Sequence, residues 1–148
     1  MRSVVTFESG AFNVTEARDY FINPACFGDD VAKWLIGRLR QAGFETDEEP
    51  GQEDFEWYFE FRVAEGEHCC VIGYRPGDGA DPGVWIAWLE RSRGLLGSLF
   101  MGRNRGIADG AIGAIHKALS GPSEISNLRW HTKDDFDRGR EELGSAVP

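Results

Sequence analysis

Residues 55–75, "FEWYFEFRVAEGEHCCVIGYR", decide the fold of this 148-residue chain. In the first nine residues large apolar side chains alternate with mostly polar ones, which is typical of a strand with one buried face. The apolar positions are Phe55, Trp57, Phe59, Phe61 and Val63. The stretch "AEGE" then offers a turn with Gly66, and "HCCVIGYR" follows as a second strand. The sequence therefore predicts a hairpin within an antiparallel sheet.

The next predicted strand, "VWIAWLE" at residues 84–90, is apolar on both faces. It follows "PGDGADPG" at 76–83, whose Gly, Pro and Asp residues are typical of a loop. One face carries Val84, Ile86 and Trp88, and the other carries Trp85, Ala87 and Leu89. Because each face of such a strand must be buried against something, we expect another part of the chain to cover the second face.

Two amphipathic helices are predicted on either side of these strands. The first, in "FGDDVAKWLIGRLRQAGF" at 27–44, has Asp29 or Asp30 as its N-cap and Gly43 as its stop signal. Its apolar stripe consists of Val31, Trp34, Leu35, Leu39 and Ala42. The second, in "IADGAIGAIHKAL" at 107–119, has Ala111, Ile112, Ile115 and Leu119 on one stripe and ends before "SGP" at 120–122.

The ends of the chain complete the predicted architecture. "SVVTFE" at 3–8 and "ISNLRWHT" at 125–132 are expected to be strands, "DDFDRGREELG" at 134–144 a short acidic helix or frayed tail, and residues 144–148 disordered. We see no domain boundary, so residues 1–148 are expected to form one α+β domain. This order predicts a two-layer sandwich, with a mostly antiparallel sheet of about five to six strands and two main helices on one face.

Composition excludes several classes of function. The formal charge of −9 disfavours general nucleic-acid binding, because attraction to phosphate needs a positive surface. No stretch approaches the length of a membrane span, and the N-terminus lacks the apolar region of a signal peptide, so we expect a cytoplasmic protein. Three cysteines, Cys26, Cys69 and Cys70, have no zinc-site spacing, and we expect buried, unreactive thiols.

We find no sequence motif that indicates a catalytic, metal or cofactor site. Phosphate-binding glycine loops, zinc-protease motifs and nucleophile elbows are all missing from the sequence. Asp78 and Asp81 in the glycine-rich loop lack the EF-hand pattern, so a turn is favoured over calcium binding. No nucleophile lies near His116 or His131 in the sequence, and both are expected to be surface or core histidines rather than general bases. We therefore expect no cofactor, and an enzyme is possible but not indicated.

The stretch "ERSRGLLGSLFMGRNRG" at 90–106 is the one segment that suggests a function. This segment connects a predicted strand to a predicted helix. It is longer than the usual connection between secondary-structure elements, about four to six residues, and such long loops are often functional. Its apolar residues are Leu95, Leu96, Leu99, Phe100 and Met101, and its arginines are Arg91, Arg93, Arg103 and Arg105. A purely structural alternative is that the apolar residues fold back over Trp85 and Leu89, because burying them needs no partner.

Two functional hypotheses share this segment. In the first, the protein is a non-catalytic binding or adaptor protein, and its partner or a second copy docks on the apolar residues and Trp85. The acidic stretch at 45–56 would then be a second charged face. In the second, a small-molecule domain or enzyme binds a phosphate or carboxylate through the four arginines, near the start of the second helix. A membrane-surface role is less favoured, because the chain is acidic.

Overall fold

The computed structural model describes residues 1–92 and 106–148. The strands are β1 (Val4–Glu8), β2 (Glu45–Thr46), β3 (Gly51–Gln52), β4 (Trp57–Val63), β5 (Gly66–Arg75), β6 (Val84–Arg91) and β7 (Ser126–His131). The helices are α1 (Asp29–Gln41), α2 (Asp109–Ser120) and the short α3 (Lys133–Asp137), followed by a 3-10 turn at Glu141–Leu143. None of the described helices has the length and apolar character that crossing a membrane requires.

The predicted α+β sandwich is confirmed. The strand order is β2-β4-β5-β6-β1-β7, with β3 also pairing with β4, and every pairing among the described strands is antiparallel. The β4–β5 hairpin has the predicted turn, since Val63 pairs with Gly66. The sheet exceeds the predicted size because the acidic stretch at 45–56 contains two short strands, β2 and β3, which pair with β4.

Helix α1 forms where its apolar stripe predicts it, and both of its ends have clear causes. Gly28, rather than an aspartate, precedes the helix, with a φ of 143° that side chains rarely adopt. At the other end Gly43 has a φ of 93°, and the Phe44 N–H donates to the Leu39 carbonyl oxygen at 3.0 Å. This is a Schellman ending, so the predicted stop at Gly43 is present.

The hydrophobic core lies between the sheet and the helices α1 and α2. We call this side of the sheet the helix face; it includes Trp85, Ala87 and Leu89 of β6. The predicted stripe of α2 lies in this core cluster, as do Val31, Leu35 and Leu39 of α1, with Trp34 packed against it. Ala42 was predicted in the α1 stripe but follows the end of the helix and is exposed, whereas Ile36, which was not predicted, is buried. The other side, which we call the open face, includes Val84, Ile86 and Trp88, and these three side chains are only half-buried.

Two predicted details differ in the structure. Phe55, expected on the buried face of the strand, precedes β4 and is 83% exposed, because a turn closed by the Glu53 N–H and the Glu56 carbonyl interrupts the strand there. Ser145 lies where disorder was predicted, yet it forms a bridge with Trp130 through two backbone hydrogen bonds of 2.6 and 2.8 Å. The 3-10 turn brings the chain back to β7, which positions this bridge.

Candidate functional site

The two ends of the 91–105 segment are fastened to the fold. The Arg91 guanidinium donates from Nη1 to the Gly106 carbonyl oxygen at 3.2 Å and from Nη2 to the Glu65 carbonyl oxygen at 2.5 Å. The Ser92 N–H donates to the Glu67 carbonyl oxygen at 3.1 Å, and the Ser92 hydroxyl donates to the Glu60 carboxylate at 2.7 Å. Because Arg91 contacts Gly106 directly, the segment leaves and re-enters the described structure at one place.

His68 completes this attachment from the buried side. Its Nε2 accepts hydrogen bonds from the Ala108 N–H at 3.0 Å and from Arg91 Nη1 at 3.3 Å. Since both groups are donors, Nε2 carries no proton, and Nδ1–H donates to the Gly66 carbonyl oxygen at 3.1 Å. Burial lowers the pKa of His68, as does the nearby charge of Arg91. The neutral imidazole therefore ties the β4–β5 turn to the start of α2.

The structure does not bring the described members of the predicted site together. Trp85 is 1% exposed and packs edge-on against Phe12 and Tyr74, so its side chain offers no surface to a partner. Arg91 lies six residues further along β6, which is about 20 Å at the usual rise of a strand. The remaining predicted residues lie outside the described residues: Arg93, Leu95, Leu96, Leu99, Phe100, Met101, Arg103 and Arg105.

The start of α2, the expected anion position, already faces carboxylates of this chain. A Cβ added at Gly110 would lie 3.0 Å from Glu65 Oε2, which places the Glu65 carboxylate against the first turn of the helix. Asp109 stands in the same turn. Negative groups are stabilised at a helix N-terminus, so these carboxylates already receive part of the electrostatic stabilisation that a bound anion would receive there.

The open face carries two cavities that the sequence did not indicate. Helix α3 and the 3-10 turn cover only part of this face, where Phe136 packs against the His131 ring with 5.8 Å between centroids. The smaller cavity, of about 300 Å³, lies beside α3 and is lined by residues that include Trp88, Glu90 and Phe136. The larger, which we call the β1–β7 cavity, has a volume of about 420 Å³. Its polar lining includes Thr6, Glu8, Arg129, His131, Glu141 and Glu142.

A β-bulge shapes the β1–β7 cavity. Thr6 pairs with Arg129, but Glu8 pairs with Ser126, so two residues of β7 stand opposite the single Phe7 of β1. The first of the two is Asn127, which has a φ of 50° and is the only described residue other than glycine with a positive φ. Asparagine tolerates this conformation better than most residues, and bulges of this kind re-aim neighbouring side chains.

His131 is a buried polar residue in the wall of this cavity. It is 2% exposed, and its Nε2 shares a hydrogen bond of 2.8 Å with the Thr6 hydroxyl. Its Nδ1 has no hydrogen-bond partner among the described residues. Burial lowers the pKa of His131, which opposes the raising effect of the nearby Glu141 and Asp135. The ring is therefore neutral at pH 7, with one nitrogen unused by the described part of the fold.

Glu141, which lines the same cavity, forms an ion pair with Arg75. Arg75 donates to both carboxylate oxygens of Glu141, at 2.6 and 2.9 Å. This hydrogen bonding holds the pKa of Glu141 below its ordinary value. The pair joins the end of β5 to the 3-10 turn. The positive charge of Arg75 also offsets the negative charge that Glu141 brings to the cavity.

The buried histidines predict that the protein loses stability in mild acid. The pKa values of His68 and His131 are lowered from the ordinary 6.5, so the unfolded chain takes up protons first as the pH falls below that value. Below 4.5, the ordinary pKa of a glutamate, the stability from the Arg75–Glu141 pair is lost as well. Urea unfolding at a series of pH values from 7.5 down to 5 would show a falling free energy of unfolding. A free energy that stays flat or rises over this range would contradict the assignment of neutral, buried histidines.

The sequence analysis considered His131, but it did not predict the cavity or the residues that surround this histidine. Nothing in the spacing of β1 and β7 shows that these strands pair, and the bulge depends on that pairing. Asn127 was a weak signal, since asparagine is common at positive φ. Comparison with known proteins adds no further assignment, because we found no protein family, curated protein or solved structure that matches this chain.

Proposed function

We propose that this chain is a non-catalytic binding or adaptor protein whose partner docks on the apolar residues of the 91–105 segment. One observation carries the proposal. Trp85 was expected to need cover from this segment, but Phe12 and Tyr74 pack against it, with ring centroids at 5.9 and 4.5 Å. Phe12 in turn contacts Trp34 of α1. Since Phe12 and Tyr74 already cover Trp85, this core residue does not depend on the 91–105 segment for its cover, which supports the proposal that the apolar residues of that segment serve a partner.

The fastened ends of the segment support the same proposal. Arg91, Ser92 and Gly106 are held by hydrogen bonds to the β4–β5 turn and to each other. The residues that flank the segment are therefore held at one fixed place beside the β4–β5 turn. Fixing the ends of a binding segment before the partner arrives reduces the entropy lost on binding.

The acidic stretch at 45–56 provides the second charged face of the proposal. Phe55 is 83% exposed between Asp54 and Glu56, and Ile22 is 59% exposed. The chain segments that carry them contact each other, because the Ile22 N–H donates to the Gln52 side chain at 2.8 Å. Exposed apolar side chains surrounded by charge are typical of a protein interface, and this one suits a basic partner.

The double substitution Leu96→Glu with Phe100→Glu tests the version in which the partner is a second copy. We expect light scattering to show an oligomer for the unmodified protein and a 16.5 kDa monomer for the variant, with unchanged far-UV circular dichroism. Lys117→Gln, on the exposed side of α2, is the matched control and should leave the oligomer intact. An unmodified protein that is monomeric at every concentration would exclude self-association and leave a different protein as the partner.

The alternative, an anionic ligand at the same segment, now rests on Arg93, Arg103 and Arg105. Arg91 already donates to two carbonyl oxygens and to His68. The Glu65 carboxylate lies where the anion would meet α2. We therefore favour the protein partner, and we keep the cytoplasmic location as part of this proposal.

A further inference from the structure

We propose that the β1–β7 cavity binds a small zwitterion that carries both a carboxylate and an ammonium group, as a free α-amino acid does. The cavity is lined by strands β1 and β7 and by the 3-10 turn, on the open face of the sheet. The proposal is independent of the 91–105 segment.

Arg129 supplies the positive side of the cavity. It lies on β7 opposite Thr6, and its side chain is exposed. Among the described residues, no carboxylate lies within ion-pair distance of its guanidinium. A guanidinium can bind a carboxylate through two parallel hydrogen bonds, which makes Arg129 suited to the carboxylate of the ligand.

Glu8 and Glu142 supply the negative side. Both line the same cavity, and neither forms an ion pair with another described residue. Glu141 is different, since its charge is neutralised by Arg75. The cavity therefore presents one cationic and two anionic groups without ion-pair partners in the described structure. This arrangement favours a ligand with both charges, and it repels a phosphate or a dicarboxylate.

The neutral part of the cavity wall supports the proposal through His131. His131 is 2% exposed and its Nδ1 lacks a partner among the described residues, which is uncommon for a buried polar atom. Asn127 adopts a φ of 50° in the same wall. A buried polar atom without a partner calls for an explanation, and a polar ligand in the cavity would provide one. The volume of about 420 Å³ lies within the range of small-molecule pockets, roughly 300–1,000 Å³.

The test is a titration followed by amide chemical shifts in ¹⁵N-labelled protein. The probes are glycine, serine and glutamine, with acetate and ethylammonium as ligands that carry one charge each. We expect at least one amino acid to shift the amides of Thr6, Arg129 and His131, while acetate and ethylammonium bind about tenfold more weakly or worse. A tenfold change corresponds to about 1.4 kcal/mol.

Matched variants test whether Arg129 and Glu8 bind the two charged groups of the ligand. Glu8→Gln keeps the shape of the side chain, Arg129→Met keeps only the unbranched stem without the guanidinium, and each removes one charge. Each should raise the Kd at least about tenfold. Lys117→Gln, on α2 beyond the helix face, should leave the Kd unchanged. The Leu96→Glu and Phe100→Glu variant should also bind normally, which separates this proposal from the proposed function.

Three results would overturn the proposal. The first is that none of the three amino acids, each at about 20 mM, changes the amide chemical shifts. This concentration saturates a site with a Kd near 1 mM. The second is equal binding of acetate and the amino acids, which would define a simple anion site. The third is an unchanged Kd in both Arg129→Met and Glu8→Gln.

Discussion

Replacing Trp85 with alanine is expected to lower the free energy of unfolding by about 3–5 kcal/mol, the usual loss for a buried tryptophan. Trp85 is 1% exposed and lies in the core cluster between the sheet and the helices. Its removal would also leave Phe12 and Tyr74 without the ring that both contact. A loss of this size is a large part of the stability of a typical domain, about 5–15 kcal/mol. Equilibrium unfolding in urea measures it directly.

Trp88→Ala is the control for this experiment. Trp88 is the same residue type on the same strand, but it lies on the open face and is half-buried. Its loss should therefore be clearly smaller than that of Trp85. Equal losses for the two variants would contradict the difference in burial between the two faces of β6. A change within about 1 kcal/mol for Trp85→Ala would contradict the placement of Trp85 in the core.

Replacing His68 with leucine is expected to lower the free energy of unfolding by about 3 kcal/mol, because it removes the three hydrogen bonds of the buried imidazole, each worth about 1 kcal/mol. The imidazole is 0% exposed, and it accepts from Ala108 and Arg91 while donating to Gly66. Leucine fills most of the space but forms none of these bonds. Hydrogen exchange should show faster exchange of the Ala108 amide, since that amide loses its acceptor.

His116→Leu is the matched control for His68. His116 is half-buried on α2 and accepts one hydrogen bond, from Trp130 Nε1 at 3.1 Å. Its replacement should lower the free energy of unfolding by about 1 kcal/mol and leave the Ala108 amide protected. If the Ala108 amide stays equally protected in His68→Leu, then His68 does not tie the start of α2 to the hairpin.

The parts of the fold that the sequence predicted correctly are those that depend on local patterns. The alternation in β4 and the apolar stripes of α1 and α2 reflect burial on one face, which repeats along each element. Gly43 ended α1 as expected, because its positive φ suits the helix ending. The same reasoning gave a wrong prediction for Phe55, because this residue lies in a turn that precedes the strand. The alternating pattern continues through Phe55 and therefore does not reveal the turn.

The parts that could not be predicted depend on contacts between distant residues. Phe12 was not expected to cover Trp85, because the loop that carries it is far from β6 in the sequence. The pairing of β1 with β7 brings Thr6 next to His131, 125 positions later in the chain. Arg91 was predicted from its charge as a candidate ligand residue, whereas its hydrogen bonds to the Gly106 and Glu65 carbonyl oxygens depend on residues that are distant in the sequence.

The measurement that tests the central claim most directly is the free energy of unfolding of the Leu96→Glu and Phe100→Glu variant, in urea, at a concentration where both proteins are monomeric. The dilution matters because an oligomer would add stability to the unmodified protein. If these side chains serve a partner, the variant should lose less than about 1 kcal/mol. A loss of about 4 kcal/mol or more would show that both side chains are buried in the core of their own chain, and it would contradict the proposed interface.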